Sequence, residues 1–91
     1  MAQQVLEVKI ASPKGIIYQG QALAVSSKNS QGNFDILPLH ANFITLIKEV
    51  PLVVLDTNKK KQTFNPKLAI IYVGDNKVNI YTEIDSLQIP K

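Results

Sequence analysis

Gly32-Asn33-Phe34-Asp35-Ile36-Leu37-Pro38-Leu39-His40-Ala41-Asn42-Phe43-Ile44-Thr45-Leu46-Ile47 is the most ordered pattern in the chain. A glycine precedes a short strand in which Phe34 and Ile36 face one way. Pro38 ends that strand because it lacks a backbone donor. His40, the only histidine, stands at the corner that follows. Phe43 to Ile47 is a second apolar run, too short for a helix and rich in β-formers, and reads as a strand.

The flanking sequence has the same character. Val5 to Ile10 alternates, with Leu6, Val8 and Ile10 on one face and Glu7 and Lys9 on the other. Ser12-Pro13-Lys14-Gly15 is a turn: proline presets φ, and glycine takes the positive φ that follows. Ile16 to Tyr18 resumes an extended run. Gly20 interrupts it, which implies a bulge or a close backbone approach. Leu23 and Val25 are expected on one face of the next strand, and Ser27 to Gly32 is a polar loop. Pro51 marks a strand start or an edge strand within Val50 to Leu55. Asp56-Thr57-Asn58-Lys59 turns the chain into a returning strand that ends at Phe64. Lys59 to Lys61 is a solvated tip that also protects an edge from aggregation. Leu68 to Val73 reads as a strand buried on both faces. Gly74-Asp75-Asn76-Lys77 is the strongest hairpin turn, since Asp and Asn tolerate left-handed φ. Val78, Ile80 and Ile84 share one face of the last strand. Tyr72 and Tyr81 are expected to pair across that hairpin.

Short strands at close spacing, with no capped 3.6-residue pattern, give an all-β fold: an antiparallel β-sandwich or flattened barrel of about 8–10 short strands. The length fits a single domain, 1–91, with its core at about 5–84 and an exit tail at 85–91. A chain this size buries only about 60–65% of its unfolded surface, so a partner can add much to its stability.

Composition narrows the chemistry. There is no cysteine, which removes disulfides, thiolate metal sites and cysteine nucleophiles. One histidine leaves little for a transition-metal site. Ser26, Ser27 and Ser30 lack a nucleophile-elbow context, although Asp35 and His40 are near in sequence. No phosphate loop or dinucleotide fingerprint is present among four glycines. No catalytic residue, cofactor or metal is therefore expected. The start has no basic n-region or apolar h-region, so no signal peptide is expected. The net charge of +3 comes entirely from lysine on the basic side, without the arginine that commonly clamps phosphate or reads guanine. Phe34, Phe43 and Phe64 sit among aliphatic residues at inward positions, which favours core packing over base stacking. For His40, residue type alone favours a ring bonded to a nearby backbone carbonyl. The alternative is an exposed contact residue.

Gly32-x-Phe34-x-Ile36-Leu37-Pro38-x-His40-Ala41, followed by the run ending Thr45-Leu46-Ile47-Lys48, resembles the signature of the epsilon subunit of rotary ATP synthases. The opening Val8-x-Ile10-x-Ser12-Pro13-x-Gly15-x-Ile17-Tyr18-x-Gly20 is similar to that family's first strand-turn-strand. The hairpin ending at Phe64 and the closing Asp75-Asn76-Lys77-Val78-x-Ile80 match in order and spacing, so the likeness covers residues 5 to 84. It implies the N-terminal β-sandwich of a non-catalytic rotor subunit that fastens the gamma subunit of the central stalk to the membrane rotor ring of c subunits. It implies no nucleic-acid partner. It also implies indirect membrane association, at the cytoplasmic face of a bacterial inner membrane, and coupling of proton or sodium flow to ATP synthesis. The implied partner-binding residues are Ser30, Gln31, Gly32 and Asn33 with Leu39, His40, Ala41 and Asn42. The alternative reading is a stand-alone lysine-rich β-barrel that binds nucleic acid or another polyanion.

Four departures from the family pattern are specific. Leu39 stands where glycine is usual, so either the corner differs or Leu39 contributes to a contact. Gln31 and Asn33 replace frequent carboxylates, which implies a ring contact less sensitive to salt. Pro66-Lys67-Leu68-Ala69 replaces a glycine pair, leaving a local bulge open. The sequence also ends at Lys91, where many members continue into a two-helix domain, so the regulation and ATP binding associated with that domain are not expected of these residues.

Overall fold

The computed structural model describes residues 4–83. Among these described residues, eight strands form the fold: β1 (Leu6–Ser12), β2 (Gly15–Asn29), β3 (Gly32–Ile36), β4 (Phe43–Lys48), β5 (Leu52–Asp56), β6 (Lys61–Phe64), β7 (Leu68–Gly74) and β8 (Lys77–Thr82). The all-β expectation holds, and among the described residues no helix is long and apolar enough to cross a membrane. Ile84 and the tail at 85–91 lie outside the described residues.

One curled sheet carries all eight strands in the order β4-β7-β8-β1-β2-β5-β6, with β3 also paired to β2. Inward side chains from its two halves meet in one core that includes Leu6, Ile10, Val25, Ile36, Ile47, Leu52, Ile71 and Ile80. Phe34, Phe43 and Phe64 pack against this core, as their aliphatic settings implied. All ladders are antiparallel except β1–β8, which runs parallel from Glu7↔Lys77 to Ala11↔Tyr81. Local alternation has no direction, so this contact between the first and last strands was not readable as parallel.

β2 differs from its sequence reading. It is a single strand of 15 residues, and Gly20 pairs regularly with Val8. A Cβ at Gly20 would lie 3.5 Å from the Tyr18 hydroxyl, so the glycine marks a close approach and not a bulge. The register shifts fall elsewhere, opposite Ile10/Ala11 and between Ala22 and Ala24. Each adds a residue and reverses the in/out phase. Ala22 and Val25 therefore face inward in place of the Leu23–Val25 pair, and Ile16 and Ile17 are both exposed. Val25 is paired on both edges, to Ile36 and to Val54.

β7 also departs from expectation. Ala69, Ile71 and Val73 are buried, but Ile70 is only half-buried and Tyr72 is exposed, so one face is not core. Its ladders to β4 and β8 have no register shift, so no bulge replaces the family's glycine pair. The link into β7 is fixed at backbone level, where Glu49 N–H donates to Lys67 O (3.0 Å) and Glu83 N–H to Leu68 O (2.7 Å). Thr82, at the inward position after Ile80, donates from Oγ1 to Ala11 O at 3.3 Å.

The β5–β6 turn is organised by Asp56. Its Oδ1 accepts the N–H groups of Asn58 (2.9 Å) and Lys60 (3.0 Å). The Lys60 N–H foremost, partly opposed by desolvation and assisted by Asn58, Gln62 and the Lys60 charge, holds the Asp56 carboxyl below its usual value. An acid lowered in this way adds stability above its unfolded value of about 3.9, and that stability is lost as pH falls through the folded value. Asp56→Ala is thus expected to lower the melting temperature near neutral pH, with the gap to the parent chain closing as pH falls through the folded value of the carboxyl. Thermal melts over a descending pH series check this. A gap that stays constant with pH would assign the loss to something other than the carboxylate.

Candidate functional site

β3 joins the two halves of the sequence-derived site and also keeps them apart. Asn29, Ser30, Gln31 and Gly32 form the β2–β3 turn. Asn29 Oδ1 accepts the Gln31 N–H at 2.8 Å, and Gly32 takes a φ of 119° that favours glycine. Asn29 Nδ2 donates to Thr45 Oγ1 at 2.8 Å, which ties the turn to β4 across the core. Ser30, Gln31 and Asn33 remain exposed. Lys28 and Lys48 line the shallow depression beside Ser30, so this end carries a charge that the turn's amides lack.

The other half lies beyond Ile36. At a rise of about 3.4 Å per residue, the five residues of β3 separate the two loops by roughly 14 Å. Leu37-Pro38-Leu39-His40 is closed by His40 N–H donating to Leu37 O at 3.1 Å. Proline in the second place and positive φ in the third is the pattern of a type II turn, which normally takes glycine there. Leu39 adopts a φ of 69°, so the corner is not remodelled to suit leucine. A non-glycine residue in that region costs about 1–2 kcal/mol. The strain is held from the β7–β8 turn: Asn76 Oδ1 accepts the Leu39 N–H at 2.6 Å. Asn76 and Asp75 have positive φ themselves, at 59° and 52°, and the Asn76 carbonyl accepts the Glu7 N–H at 2.8 Å. One asparagine thus joins the β7–β8 turn, the start of β1 and the corner. Its turn role was legible in sequence, but its hold on Leu39, a contact across 37 positions, was not.

His40 Nδ1 lies 2.7 Å from Ala41 O. A carbonyl only accepts, so Nδ1 carries a proton and donates it. The ring packs edge-on against Phe43 at 5.5 Å, and Phe43 packs on Phe34 at 5.4 Å. The carbonyl bond expected from residue type is present. Leu39, Ala41 and Asn42 are exposed, and Leu39, His40, Asn42, Asp75 and Asn76 surround an open depression.

No catalytic constellation forms around these groups. Ser26 Oγ donates to Asp35 Oδ1 at 2.6 Å across β2 and β3, while the His40 ring is engaged with Ala41 and Phe43. Among the described residues, no three His, Asp or Glu side chains are placed to hold a metal ion.

The local sequence also concealed an apolar surface. On the outer face of β4, Ile44 is 65% exposed and Leu46 52%. The register sets Ile44 opposite Tyr72, Leu46 opposite Ile70, and Ile70 opposite Tyr81. Tyr72 and Tyr81 meet edge to face at 5.9 Å, diagonally and not directly opposite. The available signal was that β4 and β7 are apolar at odd and even positions alike, while only one side faces the core.

The profile of the family described as "ATP synthase, Delta/Epsilon chain, beta-sandwich domain" matches residues 5–84. An ATP synthase epsilon chain of Sulfurimonas denitrificans is 28% identical over 78 residues, covering 86% of this chain and 60% of the relative. One from Campylobacter jejuni subsp. doylei is 32% identical over 77 residues, covering 85% and 56%. The chain therefore spans somewhat under two thirds of these relatives' lengths. In fold it is similar to a chain of the Euglena gracilis mitochondrial ATP synthase OSCP/F1/c-ring structure, with a TM-score of 0.81 at 18% identity, covering 90% of this chain and 52% of that one.

Proposed function

The chain belongs to the ATP synthase delta/epsilon-chain β-sandwich family, and from that membership we propose that it is a non-catalytic part of the central stalk, fastening the gamma subunit to the membrane rotor ring. In this role it transmits rotation driven by ion flow, at the cytoplasmic face of a bacterial inner membrane, and reaches the membrane only through the complex.

The observation that carries this reading is the placement of two exposed loops at opposite ends of β3. A fastener needs two contact surfaces that are far enough apart to engage two bodies and rigid enough to transmit torque. Gln31 and Asn33, with Lys28 and Lys48 beside them, suit the polar loops of a ring. Leu39 to Asn42, together with the exposed apolar face of Ile44 and Leu46 on β4, suits gamma. An apolar centre inside a polar rim is the usual anatomy of such contacts.

The polyanion reading has less support. Three phenylalanines pack against the core, and the two exposed tyrosines engage each other, so no row of free aromatic faces stands beside the lysines. Titration with the host gamma subunit and, separately, with a single-stranded oligonucleotide at physiological salt distinguishes the two. Gamma is expected to bind and the oligonucleotide to remain free. The reverse result would overturn the proposal. In the same assay His40→Ala is expected to weaken gamma binding about 5- to 10-fold, in the range of ordinary interface side chains, while shifting the melting temperature by only a few degrees. A large stability loss with unchanged binding would confine His40 to a structural role.

A further inference from the structure

Leu39 combines two unfavourable features that its own chain does not compensate by packing. Its backbone is left-handed, with φ of 69°, and its side chain is 74% exposed. Glycine would remove the first and a polar residue the second. The corner is nevertheless held in this form by the 2.6 Å bond from Leu39 N–H to Asn76 Oδ1 and by the Leu37–His40 turn. Leu37, on the other side of Pro38, is 52% exposed, so the turn presents an apolar tip. Around it stand polar groups: the Asp75 carboxylate, which only accepts, the Asn42 amide and the His40 ring. Strain retained at an exposed side chain points outward, to a body that completes the packing.

We infer that Leu39 is an anchor side chain, pre-set by Asn76 to fill an apolar recess, rimmed by N–H donors or positive charge, on the gamma subunit. This rests on the stalk reading above and names what the corner recognises. A leucine already fixed in its docking conformation loses little freedom on binding, so its buried area is realised as affinity. Leu39 would thus supply a contact that a glycine at this place cannot make.

The test compares binding and stability in the same variants. Binding of the chain to purified host gamma is measured by calorimetry, and stability by thermal melting. Leu39→Gly relieves the backbone and deletes the anchor; its melting temperature is expected to be unchanged or raised, with affinity reduced at least 10-fold. Leu39→Met keeps the bulk and is expected to bind within about threefold of the parent. Asn76→Asp keeps the acceptor and is expected to bind better than Asn76→Ala. Leu39→Gly binding within twofold of the parent overturns the anchor while leaving the stalk reading standing. A parent chain that binds no gamma overturns both. Opposite signs in stability and affinity would not arise from a purely structural role.

Discussion

Ile36→Ala is expected to lower the stability of this domain by about 2–5 kcal/mol. Ile36 is fully buried and sits at the end of β3, opposite Val25, which is itself paired to Val54. All three are inaccessible to solvent, so truncation leaves a cavity that neighbours on three strands must share. A domain of this length has a total stability of about 5–14 kcal/mol, so the loss is a large fraction of the whole. With about 4–8 °C per kcal/mol at this size, the melting temperature should fall by at least about 8 °C. Leu37→Ala, one residue away but half exposed, should stay within about 0.5 kcal/mol. Circular-dichroism melts of both variants decide the matter. A small loss for Ile36→Ala would mean that the strand beneath the corner is not part of the core.

The second large effect concerns binding. Ile44→Asp is expected to weaken association with gamma at least about 30-fold, the equivalent of about 2 kcal/mol, while leaving the fold intact. Ile44 lies on the outer face of β4, with Tyr72 opposite and Leu46 two residues on, so substitution disturbs little within the domain. An aspartate there would have to lose its hydration against an apolar partner surface without a compensating charge. Thr63→Asp, on exposed β6 away from this face, is the control and should bind as the parent does. Equal binding by Ile44→Asp would remove the β4–β7–β8 face from the gamma contact and leave the corner alone.

Much of this architecture was legible because it is local. Alternation located β1, β3 and β8, Pro51 marked the start of β5, and Asp56 and Gly74 to Lys77 identified their turns. What escaped has long-range causes. The parallel pairing of β1 with β8 joins opposite ends of the chain. The register shift at Leu23 depends on β2 being paired on both edges. In β7, a run of apolar residues reads the same whether its second face meets the core or stands open, and here Tyr72 stands open. Leu39 was legible as a departure, but its left-handed backbone is imposed by Asn76 from the far hairpin. Of the eight residues of the candidate site, Ser30, Gln31 and Leu39 to Asn42 lie in loops, whereas Gly32 and Asn33 open β3. Their division between the two ends of β3 emerges only from the fold.

The proposed fastening of gamma to the rotor ring can be read out most directly by capturing the tagged chain from detergent-solubilised membranes of its host and identifying what co-purifies by mass spectrometry. Gamma is expected together with the c-ring subunit and the ATPase head, all reduced for Ile44→Asp. Recovery of nucleic acid or unrelated proteins, with gamma and c absent, would contradict it.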